Sequence, residues 1–237
     1  MAPSLPTVHP ASAITLKPEP LTPPLFAPYG TAITSPLFQD LHTVPIPAPA
    51  PKYRAHQPSP ILVNQSTALK YTSISPLLNT YPGASKAQTS MFSCFPRKDT
   101  PNGIFKIRIL ERHPYTTQTF LPLGLSANDT STQYLVIVAP SKRAAATDTC
   151  PENPPDLSKL EAFIATGGQA VTYAAGTWHA PMAVLGAKRV DFVVTQFVSG
   201  IPDEDCQEVL VGEGVGLSVK ELGLAGNDGL WKEGAKL

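Results

Sequence analysis

Gly168-Gln169-Ala170-Val171-Thr172-Tyr173-Ala174-Ala175-Gly176-Thr177-Trp178-His179 is the stretch on which the reading of this chain turns. Its leading glycine permits a tight turn, Val171-Thr172-Tyr173 favours a short strand, and Ala175-Gly176 supplies a second turn. His179 then sits on a segment running back into the fold, so its imidazole is carried to the inside wall of a small β-structure. Barrel mouths are where small ligands bind, and the stretch therefore predicts a site.

A second run upstream supports the first. Glu111-Arg112-His113-Pro114-Tyr115-Thr116-Thr117-Gln118 closes on Gly124. Alternate residues of a strand share a face, so Glu111 and His113 are expected to point inward and Arg112 outward. Together the two stretches resemble the paired motifs of the cupins, H-x-H-x3-4-E and G-x5-P-x-G-x2-H. Gly176 and His179 are in register, Ala174 replaces the proline, and Gln118 stands where the usual carboxylate ligand lies. His113, His179 and Gln118 are the candidate ligands for a divalent metal such as nickel, manganese or iron. The set is poorer than three histidines and a carboxylate, because an amide oxygen is a weak ligand.

Composition narrows the partners. A chain of 237 residues with 42% hydrophobic content can bury a full core, and we read residues 1–237 as one domain. A formal net charge of zero gives no electrostatic reason to expect nucleic acid or an anionic membrane surface. Cys94, Cys150 and Cys206 are odd in number and lack C-x-x-C spacing, which fits free thiols in a reducing, intracellular compartment. No apolar run reaches the roughly 18–20 residues of a membrane span. The chain ends in Ala235-Lys236-Leu237 after a glycine-rich tail from about residue 226, a close variant of the address read by the peroxisomal import receptor.

Proline is the compositional anomaly: 27 in all, 15 of them before residue 61. Residues 35–60 are accordingly expected to form a surface excursion, because proline cannot donate to a central sheet ladder. Leu21 to Phe26 is expected to dock ahead of a first strand at Thr31 to Thr34. Further strands are expected at Ile61-Leu62-Val63, Ser90 to Phe95, Phe105 to Leu110, Tyr134 to Ala139, Gln169 to Tyr173 and Val190 to Phe197. Pro154 to Phe163 is the best helix candidate, with Asp156 as N-cap. Many short strands with little helix predict an all-β cupin-type antiparallel barrel or jelly roll with few short helices.

Several further runs carry a more specific resemblance. Phe26-Ala27-Pro28-Tyr29-Gly30, Asn64 with Lys70-Tyr71, Glu111-Arg112-His113-Pro114, Pro155-Asp156-Leu157-Ser158, Gly176-Thr177-Trp178-His179-Ala180-Pro181, Asp191-Phe192 and Asp205-Cys206 resemble, in order, the ureidoglycolate lyase family. The resemblance spans about residues 19–210 and implies a homodimeric cupin that splits ureidoglycolate into glyoxylate and urea during allantoin breakdown. Ala180 departs from members with a second histidine there, and the proline-rich excursion points to a fungal form.

Such a reaction needs a base near a hydroxyl proton, an acid near the departing nitrogen and donors for a carboxylate. His113, His179, Glu111 and Gln118 are the candidate catalytic residues. Lys70 and Arg97 are candidates for the carboxylate, with Asn64 and Tyr71 as further substrate contacts implied by the resemblance. Trp178 is expected in the core or at a dimer interface. An amidohydrolase releasing ammonia, a cupin dioxygenase and a non-catalytic ligand-binding cupin are the competing readings, because a fold alone does not choose among them.

Overall fold

The apolar run beginning at Tyr134 forms the strand Thr132–Ala139, and it is buried on both faces. Leu135, Ile137 and Ala139 enter one core cluster while Tyr134, Val136 and Val138 enter another. A strand that reads as continuously apolar is one covered on both sides, and this one is the centre of the molecule. The computed structural model describes residues 5–37, 41–98, 100–147 and 151–222.

Around that strand runs an eight-stranded sheet. In order it is Thr7–Val8, Gln207–Val211, Ile109–Arg112, Trp178–His179, Thr132–Ala139, Glu161–Ala165 and Glu19–Pro20, with Ala183–Gly186 also paired to Thr132–Ala139. A five-stranded antiparallel sheet faces it: Gly30–Thr34, Gln169–Tyr173, Gln118–Leu123, Val190–Val198 and Lys86–Cys94. Phe120, Val171, Tyr173, Phe192 and Val194 of the smaller sheet meet Tyr134, Val136, Val138 and Phe163 of the larger in one cluster. On the far side of the larger sheet, Ile14–Leu16, Ile104–Lys106 and Val215–Ser218 form a three-stranded cover. The all-β class expected from the sequence is what the chain adopts, as facing sheets; no strand pairing closes them into a barrel among the described residues.

Local expectations fared unevenly. Leu21, Phe26 and Tyr29 are buried, so the segment around the short helix Pro23–Phe26 does dock ahead of a strand. The helix expected over Pro154 to Phe163 is instead a single 3-10 turn, Leu157–Lys159, followed by the strand Glu161–Ala165. Asp156 caps that turn through Ser158, but Leu160 is extended because Glu161–Ala165 is taken up by antiparallel pairing with Thr132–Ala139. Sheet pairing here outweighs local helix propensity. Three short strands before residue 21 were not expected; each adds in parallel to a sheet edge. The proline-rich excursion is pinned by Gln57, whose amide donates to the Thr34 carbonyl at 3.1 Å.

Phe26 makes edge contact with Phe163 at 5.4 Å and with Tyr173 at 6.2 Å between ring centroids. Deleting so buried a ring leaves a cavity, so Phe26→Ala is expected to cost about 3–5 kcal/mol, read as a lowered midpoint in urea denaturation with little change in slope.

Candidate active site

Backbone register brings the two motif stretches together. The strand Trp178–His179 lies between Thr132–Ala139 and Ile109–Arg112, with His179 directly opposite Glu111. The turn at Ala175-Gly176 is present, with φ of 77° at Gly176, a value glycine adopts without strain. The Gly176 amide donates to the His113 carbonyl at 2.8 Å, which ties the end of one motif to the turn of the other. From the facing sheet, Gln118 and Tyr173 stand opposite each other in register.

One atom each of Glu111, His113 and His179 lies within 4.8 Å of the others, close enough to hold a metal ion. The imidazole centroids of His113 and His179 are 5.5 Å apart. Both rings are buried, at 6% and 1% exposure. His113 Nδ1 meets the Asp205 carbonyl at 2.6 Å and His179 Nδ1 meets the Thr177 carbonyl at 3.0 Å. A carbonyl accepts only, so each Nδ1 is the protonated nitrogen and each Nε2 is turned inward; second partners of this kind fix the tautomer of ligating histidines. Neither Nε2 has a hydrogen-bond partner, nor has Gln118 Oε1, whose amide nitrogen donates to Gln196 at 2.6 Å. Glu111 Oε1 approaches His179 Nε2 at 3.4 Å, an electrostatic contact without hydrogen-bond alignment.

The set is therefore rich in acceptors. Two imidazole lone pairs, a carboxylate and an amide oxygen converge in a buried space, and such groups require a proton or a cation among them. The residues fit a divalent metal on this ground. Burial pushes the Glu111 carboxyl up, but the approach of His179 and the charge of both imidazoles outweigh it, and the net direction is below the ordinary carboxylate value. Burial, reinforced by His179, holds His113 below its ordinary 6.5 despite the Asp205 carbonyl, Glu111 and Gln118. Burial and then the charge of Glu111 push the Cys206 thiol up to about 12, so it stays protonated at neutral pH.

The structure gathers Glu111, His113, Gln118 and His179, and leaves the other candidates outside the cluster. Asn64 sits exposed in a hairpin turn, at φ 52°, and Lys70 is exposed at the end of the strand Ala68–Lys70. Tyr71 lines a separate cavity of about 220 Å³ with Ile33, Thr34, His56 and Ile74. The Arg97 guanidinium lies 5.2 Å over the Phe105 ring, in the core cluster on the far side of the larger sheet. Arg112 does point away from Glu111, yet it is buried and not solvated. It stacks 4.7 Å over Trp178 and bonds Gln207 and the carbonyls of Glu152 and Asn153. Trp178 is core, with its indole N–H donating to the same Asn153 carbonyl. Cys94 and Cys206 are free thiols, whereas Cys150 and the Ala235-Lys236-Leu237 ending lie outside the described residues.

Sequence reasoning missed the supports. The Asp205 carboxylate accepts from Tyr81 Oη at 2.8 Å, from Ser199 N at 2.7 Å and from Gly200 N at 2.8 Å, which fixes the carbonyl that orients His113. No local spacing announces a contact between residues so far apart in the chain. Tyr173 belongs to the site as well. Period-two alternation puts it on the face of Val171, and it stacks on His179 at 3.9 Å and 11°.

An all-β fold with a buried histidine–carboxylate centre defines a cupin-like protein with an enzyme-type site. Comparison with known proteins makes this specific: the family model for ureidoglycolate lyase matches residues 13–218. A ureidoglycolate lyase of Schizosaccharomyces pombe is 37% identical over 155 residues, covering 62% of this chain and 75% of that protein. One of Saccharomyces cerevisiae is 40% identical over 166 residues, covering 64% and 78%, and one of Burkholderia mallei is 32% identical over 180 residues, covering 76% and 81%. The chain belongs to the ureidoglycolate lyase family.

The depressed His113 sets an acid limit on stability. Its folded form resists a proton that the unfolded chain accepts below about 6.5, so stability is full above that pH and falls as pH drops through the lowered folded value. Glu111, also depressed, adds a loss of the same sign at lower pH, below 4.5. The melting temperature is expected to fall from pH 7 to 5, and His113→Gln to flatten the upper part of that decline in a scanning-fluorimetry series.

Proposed function

We propose that this chain cleaves ureidoglycolate to glyoxylate and urea. Family membership supports the reaction, and the single structural observation that carries the site is the convergence of unpartnered acceptors on one buried point, His113 Nε2, His179 Nε2 and Gln118 Oε1 beside the Glu111 carboxylate. The substrate carbon bears a hydroxyl, a carboxylate and a urea nitrogen. Loss of the hydroxyl proton forms the carbonyl of glyoxylate, the C–N electrons leave with nitrogen, and that nitrogen takes up a proton to become urea.

His113, His179 and Gln118 would hold a divalent metal, with nickel ahead of manganese or iron. When bound, the ion supplies a Lewis acid for an oxygen of the substrate. With Gln118 as the third ligand, Glu111, which the cluster also places within 4.8 Å of both imidazoles, is the carboxylate that moves the proton. Its carboxyl lies below the ordinary range and is ionised at neutral pH, so it can accept the hydroxyl proton and return it to the departing nitrogen. The mutual burial of the two sheets excludes bulk water from this exchange.

The same reading includes a homodimer and peroxisomal import. Met91, Leu121 and Leu123 lie on the outer side of the smaller sheet, at 58%, 44% and 44% exposure, and this apolar face supports self-association. Asn64, Lys70, Tyr71 and Arg97 would act on the substrate only if a second copy brought them to the cluster. The C-terminal Ala235-Lys236-Leu237 is the element an import receptor would read.

Product stoichiometry tests the reaction: glyoxylate and urea are expected in equal amounts, and ammonia in place of urea would instead establish an amidohydrolase. Glu111→Gln, which keeps the side chain's size, is expected to lower kcat by about 10²–10⁴ while the melting temperature changes little. Retention of kcat in that variant would remove Glu111 from proton transfer.

A further inference from the structure

The candidate site contains an unpartnered hydroxyl donor, Tyr173. Its ring lies parallel to the His179 imidazole at a centroid distance of 3.9 Å, and its strand places it opposite Gln118. The side chain is 2% exposed, yet its hydroxyl has no hydrogen-bond partner. Burying a hydroxyl unpaired is unfavourable, and such a group beside an acceptor-rich cluster calls for a partner from outside the chain.

The surrounding inventory shows what that ligand must offer. Glu111, Gln118 Oε1 and the two Nε2 atoms are acceptors, and the Gln118 amide nitrogen is already committed to Gln196. Arg112 is committed to Gln207 and to backbone carbonyls on the other side of its strand. Within one chain, an anionic or carbonyl oxygen entering the site therefore meets the phenol as an unpaired hydroxyl donor, beside the weaker S–H donor of Cys206.

We infer that the Tyr173 hydroxyl is a substrate-contacting catalytic residue, donating a hydrogen bond to a carboxylate or carbonyl oxygen of the substrate while its ring holds the His179 imidazole in plane. The inference rests on the lyase reading for the identity of the substrate, but the donor role itself needs only a ligand with an acceptor oxygen. A donor aimed at developing charge in a water-poor site contributes to rate as well as to binding.

Tyr173→Phe separates this role from simple packing. The phenyl ring keeps the stack on His179, and removal of an unpaired buried hydroxyl relieves a desolvation cost. The variant is expected to melt at the same temperature as the parent or a few degrees higher, to lose at least tenfold in kcat/KM for ureidoglycolate, and to bind glyoxylate, used as a carboxylate probe, several-fold more weakly by calorimetry. Values of kcat/KM and glyoxylate affinity within twofold of the parent would overturn the donor role. So would a drop of several degrees in melting temperature, which would show that the hydroxyl has a partner inside the protein. If the parent protein does not cleave ureidoglycolate but binds glyoxylate more tightly than Tyr173→Phe does, the donor role stands and the lyase reading falls.

Discussion

The antiparallel pairing of His179 with Glu111 is the constraint on which the site depends. It sets a carboxylate and an imidazole 3.4 Å apart in a buried space, where neither can be left without a proton or a cation to share. The pairing is possible because the short strand Trp178–His179 is squeezed between two longer neighbours, and because the turn at Gly176 bonds back to the carbonyl of His113. Both histidines owe their orientation to main-chain carbonyls, and so the geometry is set by the backbone before any ligand enters.

The larger sheet separates two kinds of aromatic and cationic chemistry. On the side facing the smaller sheet, Glu111 and His179 meet Gln118 and Tyr173. On the reverse side, Arg112 lies over Trp178 and is consumed by carbonyls of residues 152 and 153. One strand thus carries a carboxylate toward the candidate site and a guanidinium into structure, a division imposed by period-two alternation. Arg112 shows that a charged residue on the far face of a site strand can be structural and still fully occupied.

What the sequence made legible was local and periodic. Glu111, His113 and His179 could be placed on an inner face because strand alternation and glycine turns are short-range rules, Gln118 followed from its place in the cupin-like motif, and the structure gathers all four. The apolar run at Tyr134 and the docking of Leu21 to Phe26 were readable for the same reason. The helix expected after Pro155 was not realised, because pairing of Glu161–Ala165 with the central strand is a long-range event that a local N-cap cannot report. Lys70 and Arg97 were chosen as cations that suit a carboxylate and Asn64 and Tyr71 from resemblance, and within one chain they stand apart from the cluster. Tyr81 and Asp205, which hold His113 in place, are 124 positions apart, and nothing in either neighbourhood signals the other.

These acceptors would form one cation-centred site. It is tested most directly by titrating nickel into chelator-treated protein while following bound metal by calorimetry and the melting temperature in parallel. One ion per chain is expected, with a rise in melting temperature and with both responses lost in His113→Ala and His179→Ala. Absence of saturable binding would contradict the claim and leave the two imidazoles and Glu111 as a metal-free acid–base set.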